Sequence, residues 1–276
     1  MKKKSSIINH QLSTRMLRIG VFDSGLGGLT IVKALTKVIK GAEIFYVADT
    51  KNAPYGEKTP EQILQFSLNV TKYLVEHHHI DGLVIACNTA TSAAVKTIRE
   101  AYPSLVVIGT EPGIKPAFEQ TSTGKVGVLA TPATLKGEKY QQLANALSQN
   151  REVTLFEQAC PGLVEQIENG ETHSDKTREM LENWLRPMRE SDVDTIVLGC
   201  THYPLVADVI EHVMQRRLNL IHTGDAIAQY SLALSRENGH RNEGELHLKL
   251  YATDHISKES VKHIFGKALE IETINL

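Results

Sequence analysis

A buried strand that runs into a cysteine occurs twice in this chain. The first copy, residues 81–94, reads DGLVIACNTATSAA, and the second, residues 194–204, reads DTIVLGCTHYP. In both copies an aspartate precedes an apolar run, and hydroxyl or amide side chains follow the cysteine. Apolar runs of this length are typical of strands buried on both faces of a parallel sheet. Each cysteine is therefore predicted at the carboxyl end of a parallel strand, where open α/β sheets bind ligands.

The duplication extends beyond the two cysteines. Matching strand-like runs begin at Arg18 and Lys125, 107 residues apart, and 113 residues separate Cys87 from Cys200. Helical patterns alternate with the strand-like runs in both halves. This alternation predicts an α/β fold of two pseudo-symmetric domains with mainly parallel sheets, and an active site in the cleft between them.

The chain beyond Gly224 contains a helical pattern and a strand-like run that have no counterpart after the first copy. We expect this tail to cross back and complete the first domain. The predicted organisation is a flexible N-terminal extension at 1–16, a first domain at 17–110 and 224–276, and a second domain at 111–223.

The charge balance argues against nucleic acid as a partner. The 276 residues include 30 basic and 32 acidic side chains, for a formal net charge of −2, whereas duplex binders usually carry a clustered basic excess. No apolar run approaches the roughly 18 residues of a membrane span, and polar residues interrupt the basic N-terminus before a signal-peptide core could form. A cytoplasmic protein is predicted.

The cysteines and histidines give no metal pattern. The three cysteines are widely spaced and odd in number, so neither a disulfide framework nor a zinc pair is expected. Adjacent helical side chains cannot converge on one ion, so His77–His79 is interpreted as a solvated helix end. Cys160 is interpreted as a small packing residue. We predict no metal and no cofactor.

A glycine-rich loop follows the first predicted strand. Thr30 occupies the place of the third glycine of a dinucleotide fingerprint, and no Walker A sequence is present. The loop can still bring backbone amides to an anionic group, with Asp23 and Ser24 facing the same crevice. In the alternative interpretation, Asp23 caps the following helix.

Two facing thiols would suit inversion at a carbon atom. A pseudo-twofold axis would bring Cys87 and Cys200 to opposite sides of one cleft, where one thiolate removes a proton and the other thiol delivers one. Asp23 and His202 are expected to orient these thiols and to shuttle protons. Neutral donors would hold the substrate's charged groups without competing with a developing carbanion; the candidates are Ser24, Asn88, Thr89 and Thr201.

Five motifs resemble the glutamate racemase family and occur in the family's order. They are GVFDSG at 20–25, ADT with PYGEK at 48–58, ACNTA at 86–90, EP with KPA at 111–117, and LGCTHYP at 198–204. The resemblance implies a cofactor-independent interconversion of L- and D-glutamate, which supplies D-glutamate for peptidoglycan and thereby serves cell-wall biogenesis and cell shape.

The resemblance also implies roles for individual residues. Cys87 and Cys200 match the catalytic cysteines, and a later glutamate that assists catalysis falls on Glu168, with Glu165 as the competing position. The matching substrate-contacting pairs are Asp23–Ser24, Tyr55–Gly56, Asn88–Thr89 and Thr201–His202. A homodimer and a muramyl-peptide precursor as activator are compatible with the resemblance, but the sequence specifies neither the number of chains nor the effector.

Three other functions stay open at this point. One is a related racemase or isomerase that acts on aspartate or another carbanion-forming acid, although Tyr55–Gly56 and the motif at 201–204 favour glutamate. The second is a Cys–His thiol hydrolase, which would leave the second cysteine unexplained. The third is a non-catalytic amino-acid-binding module.

Overall fold

The computed structural model describes residues 16–111, 113–149 and 153–276. Nearly all of the predicted N-terminal extension therefore lies outside the described residues. The first sheet has six strands in the order β10-β9-β2-β1-β3-β4. Their bounds are β1 Leu17–Asp23, β2 Ala42–Ala48, β3 Gly82–Ile85, β4 Val106–Gly109, β9 Leu246–Ala252 and β10 Ile271–Thr273.

The second sheet repeats the central part of the first. Its order is β6-β5-β7-β8, with β5 Lys125–Ala130, β6 Thr154–Ala159, β7 Thr195–Gly199 and β8 Asn219–Ile221. The strands β2-β1-β3-β4 thus correspond to β6-β5-β7-β8. Every strand pair of both sheets is parallel, which confirms the predicted α/β class with mainly parallel sheets.

Helices cover the faces of the sheets because parallel strands require crossover connections. In the described residues they are α1 Leu29–Val38, α2 Pro60–His78, α3 Asn88–Ala101, α4 Ile114–Gln120, α5 Pro132–Lys136, α6 Glu138–Gln149, α7 Leu163–Glu168, α8 Asp175–Glu190, α9 Ala207–Met214, α10 Gly224–Glu237 and α11 Lys258–Phe265. Short 3₁₀ turns occur at Thr50–Asn52, Tyr55–Glu57 and Tyr203–Val206. No helix in these ranges is long and apolar enough to cross a bilayer.

The two ends of α2 show whether the local sequence patterns predicted the bounds of this helix correctly. Thr59 Oγ1 accepts the Gln62 N–H at 3.3 Å, and Gln62 Oε1 accepts the Thr59 N–H at 3.0 Å, so the predicted capping box is confirmed. The helix ends at the histidine run as predicted, with His77 and His79 exposed. His78 is instead half-buried and stacks on Phe45, with 4.3 Å between ring centroids.

The largest apolar core joins the two sheets. It continues from Val21 and Tyr46 in the first sheet to Leu198 and Val209 in the second half of the chain. Full burial of one large aliphatic side chain stabilises a fold by about 1.5–3 kcal/mol, so this shared core holds the two sheets together. The carboxyl ends of β1, β3 and β7 meet beside it.

Candidate active site

Cys87 lies at the junction of β3 and α3. It is the N-cap residue of this helix, and its Sγ accepts the Ala90 N–H at 3.4 Å. Ser24 Oγ lies 4.0 Å from the same sulfur. The helix N-terminus favours negative charge on the sulfur, but burial, followed by the charge of Asp23, raises the pKa of the Cys87 thiol well above its ordinary value. Burial therefore favours the neutral thiol at Cys87.

Cys200 follows β7 but does not cap a helix, because the 3₁₀ turn Tyr203–Val206 precedes α9. Its Sγ lies 3.7 Å from Nδ1 of the buried His202, whose Nε2 is 2.6 Å from Glu168 Oε1. Burial disfavours the imidazolium, but the hydrogen bonds to Cys200 and Glu168 outweigh it and raise the pKa of His202 well above its ordinary value. An imidazole is thus paired with this thiol.

Asp23 ends β1 and is fully buried between the two cysteine sites. Its Oδ2 accepts the backbone N–H groups of Gly25 at 3.2 Å and Gly28 at 3.0 Å, and Thr201 Oγ1 lies 3.2 Å from its Oδ1. Burial raises the pKa of Asp23. The carboxyl group anchors the loop before α1 but is not the cap expected in the alternative interpretation, because the N-cap residue of α1 is Gly28. It also reaches the residue that follows Cys200.

The glycine-rich loop reaches across to the second half of the chain. The Leu26 N–H donates to Glu168 Oε1 at 2.7 Å, and the Gly27 N lies 3.2 Å from His202 Nε2. A Cβ atom on Gly27 would overlap the His202 ring, so only glycine allows this approach. The loop amides do approach an anion, which here is the carboxylate of Glu168.

Glu168 hydrogen-bonds to the imidazole, whereas Glu165 interacts with it only through charge. Glu168 is the last residue of α7, and its carboxylate contacts both His202 and the Leu26 amide. Glu165 lies one turn earlier, where burial followed by the charge of Glu57 raises its pKa.

The predicted substrate-contacting residues surround one small cavity of about 10 Å³. Ser24, Tyr55, Gly56, Cys87, Asn88, Thr89, Cys200, Thr201 and His202 line it, together with Pro54, Thr131 and Val164. Asp23 and Glu168 lie behind this lining. A volume of this size holds about one water molecule. The cleft is therefore closed around its own polar side chains.

Thr131 and Thr134 were missed by sequence reasoning. Thr89 Oγ1 lies 3.0 Å from Thr131 Oγ1 and 3.3 Å from Thr134 Oγ1, which joins α3 to the start of α5. The internal repeat carried the signal, because the run that begins at Lys125 places Thr131 where the first copy has Ser24.

Sequence reasoning also did not assign Asp49 to the site. Asp49 does not line the cavity but contacts Tyr55, which does. Its Oδ2 accepts the hydroxyl of Tyr55 at 2.6 Å, and its Oδ1 accepts the hydroxyl of Thr253 at 2.9 Å. It follows β2 directly, so its position at a strand end was the available signal. Asp49 fixes the ring of Tyr55 against the cavity.

Cys160 has no contact with the cavity. It is buried, its Sγ lies 3.6 Å from the carbonyl oxygen of Gln158, and burial raises its pKa to about 12. A buried thiol of this kind is unreactive.

The sequence matches the model of the Asp/Glu/Hydantoin racemase family over residues 28–230. It is 70% identical to a glutamate racemase of Sulfurovum sp. (strain NBC37-1) over 264 residues, which cover 94% of this chain and 100% of that protein. The chain therefore belongs to the Asp/Glu/Hydantoin racemase family, and its class is that of the amino-acid racemases.

The solved structures that resemble this chain include glutamate racemases. A glutamate racemase isoform from Bacillus anthracis is 28% identical with a TM-score of 0.81, covering 94% of this chain and 98% of that one. The Escherichia coli glutamate racemase, solved with L-glutamate and the activator UDP-MurNAc-Ala, is 27% identical with a TM-score of 0.80 and the same coverage. These matches confirm the resemblance to glutamate racemases.

Proposed function

We propose that this protein interconverts L- and D-glutamate by proton transfer at Cα between Cys87 and Cys200, without a cofactor, and that it supplies D-glutamate for peptidoglycan synthesis. The main observation in support is that the two cysteines, from equivalent strand ends of the repeat, line the same cavity. The identity of the substrate is supported by the glutamate racemases among its relatives.

The contacts of the two thiols suggest how a turnover proceeds. In the L-to-D direction the Cys200 thiolate, paired with the His202 imidazolium, removes the Cα proton, so a C–H bond breaks and an S–H bond forms. The Cys87 thiol then donates its proton to the opposite face of the carbanion. The D-to-L direction reverses both steps, and the assignment of each thiol to one enantiomer follows from the family resemblance.

The groups that exchange protons with Cys200 differ from those that exchange protons with Cys87. His202 and Glu168 lie in line behind Cys200, and an imidazole in such a hydrogen-bonded chain can accept the thiol proton of Cys200 before Cys200 acts as a base. The pKa of Asp23 is raised by burial, and the charge of Asp23 in turn raises the pKa of Cys87. We infer that Asp23 serves Cys87 and that His202 with Glu168 serves Cys200.

Neutral groups would bind the substrate's carboxylates. Among the residues that the structure describes, the cavity is lined by the hydroxyl groups of Thr89, Thr131 and Thr201 and by no lysine or arginine. Since a volume of about 10 Å³ is far smaller than glutamate, we infer that the two halves separate before binding. Separation would break the contacts Leu26–Glu168, Thr201–Asp23 and Thr89–Thr131, and closure onto the substrate would exclude water.

Deuterium incorporation tests this function directly. L- or D-glutamate is incubated with the enzyme in D₂O without pyridoxal phosphate or metal, and Cα deuterium and optical rotation are followed. We expect deuterated product of inverted configuration from either enantiomer. The 3.7 Å Cys200–His202 contact would by itself suit a thiol hydrolase, so hydrolysis of an ester or amide without exchange would favour that function. Binding without exchange would favour an amino-acid-binding module.

Activation by a muramyl-peptide precursor is a separate proposal. A second cavity, of about 330 Å³, lies beside Cys200 and is lined by Lys33, Lys37, His222 and His263. Such side chains suit the diphosphate of a nucleotide-linked precursor, and the E. coli relative was solved with such an activator. We expect UDP-MurNAc-Ala to raise kcat in the wild type and to have a weaker effect in Lys33→Ala. A homodimer and a cytoplasmic location stay predictions.

A further inference from the structure

The peptide group between Gly25 and Leu26 is hydrogen-bonded on both sides. Its carbonyl oxygen accepts the hydroxyl of Tyr46, and its N–H donates to Glu168 Oε1 at 2.7 Å. The C=O and N–H of a planar trans peptide point in opposite directions. Any group that fixes the carbonyl therefore also fixes the direction in which the N–H points.

Tyr46 comes from the interior of the first sheet. It lies in the middle of β2, in register with Val21 of β1, and only 1% of its surface is exposed. A Cβ atom on Gly28 would come within 2.8 Å of the Tyr46 hydroxyl, so the loop closes tightly over this oxygen. The phenol group is thus rigidly held, whereas the glycines around it have little conformational preference of their own.

The other side of the peptide leads to Cys200. Glu168 Oε1 receives the Leu26 N–H and lies 2.6 Å from His202 Nε2, and His202 Nδ1 lies 3.7 Å from Cys200 Sγ. On the side of Cys87, Asp23 also accepts the Gly25 N–H, but its contacts with Gly28 N and Thr201 Oγ1 do not involve the Gly25–Leu26 peptide. The charges of Asp23 and Cys87 also act on the Tyr46 hydroxyl, but its hydrogen-bonded route through the Gly25–Leu26 peptide leads to Cys200.

We propose that Tyr46 is a positioning residue whose hydroxyl, acting through the Gly25–Leu26 peptide, holds Glu168 against His202 and thereby governs proton transfer at Cys200 more than at Cys87. The proposal rests on the two-thiol function proposed above. Burial raises the pKa of Tyr46 well above its ordinary value, so the hydroxyl stays a donor over the whole working pH range.

Tyr46→Phe removes this hydroxyl and keeps the ring. We expect kcat/KM to fall about tenfold, which corresponds to one lost hydrogen bond of ordinary strength. The fall has to be equal in both directions, because the two enantiomers have the same free energy in water. Tyr140→Phe is the matched control: this buried hydroxyl donates to Glu157 at 2.6 Å within the second half of the chain, and its loss is expected to lower stability but not kcat/KM.

Isotope effects distinguish positioning from a general loss of structure. If Cys200 removes the proton of L-glutamate, slowing that step in Tyr46→Phe raises the primary isotope effect on kcat/KM for 2-deuterated L-glutamate and lowers it for 2-deuterated D-glutamate. Parallel changes with both enantiomers, or an unchanged kcat/KM, would overturn the proposal. In a Glu168→Gln background Tyr46→Phe is expected to have little further effect, and additive losses would also contradict it.

A donor-retaining side chain provides the rescue. Tyr46→4-aminophenylalanine keeps an N–H donor at the same reach and is expected to recover part of the loss seen in Tyr46→Phe. If Tyr46→Phe does not fold, the wild type is compared with this variant, whose weaker donor is expected to give the same opposed isotope effects at smaller amplitude. Absence of any opposed change would then refute the proposal.

The pH titration of the His202 ring, followed by NMR, separates this inference from the proposed function. Tyr46→Phe is expected to lower the pKa of His202 because Glu168 is held less firmly, and this readout needs no turnover. A wild type without exchange in D₂O, together with a shifted His202 titration, would refute the function and keep the positioning. Normal exchange with an unshifted titration would refute the positioning alone.

Discussion

The two cysteines occupy equivalent strand ends but have different hydrogen-bonding neighbours. Cys87 and Cys200 each follow a central parallel strand, β3 and β7, at equivalent places in the two sheets. Cys87 caps α3 and takes its hydrogen bond from the Ala90 amide, whereas Cys200 is followed by a 3₁₀ turn and contacts the His202 imidazole. The same backbone position thus carries one thiol beside a helix N-terminus and one beside a base.

This difference affects the protonation state from which each direction of the proposed reaction starts. An enzyme with two thiols needs one of them protonated and the other ionised at the start of each turnover. Burial favours the neutral thiol at Cys87, and a His202 with a raised pKa can hold the proton that Cys200 gives up. In the proposed mechanism the L-to-D direction starts from this state, whereas the D-to-L direction requires Asp23 to take the proton of Cys87 first. The symmetry of the sheets places both thiols at one cleft.

Replacing either thiol is expected to have the largest effect. General acid–base groups contribute about 10²–10⁴-fold, so Cys87→Ser and Cys200→Ser should each lower kcat/KM by about a thousandfold. In D₂O, Cys200→Ser should exchange only the Cα proton of D-glutamate, and Cys87→Ser only that of L-glutamate, as NMR of the recovered substrate would show. A variant that racemises at the wild-type rate would rule out the two-base mechanism.

Replacing Asp23 or His202 tests whether the two cysteine sites exchange protons through different groups. Asp23→Asn and His202→Asn should each lower kcat/KM about a hundredfold, with opposed primary isotope effects for the two enantiomers. Because the pKa of His202 is raised, its proton is present below that pKa and is lost as pH rises through it, so the alkaline limb of the wild-type pH–rate profile should be altered in His202→Asn. An unchanged profile would assign His202 a structural role only.

A smaller effect is expected where the two halves share a binding surface. Thr131→Val removes a hydroxyl that contacts Thr89 and lines the cavity. One lost hydrogen bond predicts a KM about tenfold higher with little change in kcat, as measured by steady-state kinetics in both directions. Thr36→Val, on an exposed part of α1, is the control. A fall in kcat at constant KM would instead place Thr131 in the chemical step.

The smallest effect on activity is expected at the amino-terminal ends of β3 and β7, opposite the two cysteines. Asp194 precedes β7 as Asp81 precedes β3, and it accepts hydrogen bonds from Thr121 Oγ1 at 2.6 Å and Ser122 N at 2.7 Å. Burial alone would raise its pKa, but these hydrogen bonds lower it to about 2. Its stabilising contribution is therefore present above the ordinary value of 3.8 and is lost as pH falls toward 2.

Asp194→Asn is accordingly expected to lower the free energy of unfolding by roughly 2 kcal/mol at pH 7, with no effect on racemisation. Urea unfolding at several pH values should show the difference from wild type narrowing below about pH 4. Asp192→Asn, at an exposed ion pair with Arg216, should cost less than about 1 kcal/mol. A gap that widens in acid would contradict the hydrogen-bonding account.

Much of the site could be predicted because its signals are local. The apolar runs before Cys87 and Cys200 specified buried strands, and Thr59 with Gln62 specified the start of α2. The contacts of Glu168 could not be predicted in this way. Glu165 and Glu168 are three residues apart on a short helix, and local patterns do not distinguish which of them reaches an imidazole supplied by another loop.

The sequence by itself determined the strands, the caps, the duplication and the chemical types that meet at the strand ends, because each depends on a few neighbouring residues. Only the tertiary structure decided that a loop amide at Leu26 would meet a carboxylate 142 residues later, that Tyr46 would orient that amide, and that Thr131 would meet Thr89. Such contacts depend on how the two sheets pack against a shared core, and packing is a property of the whole chain.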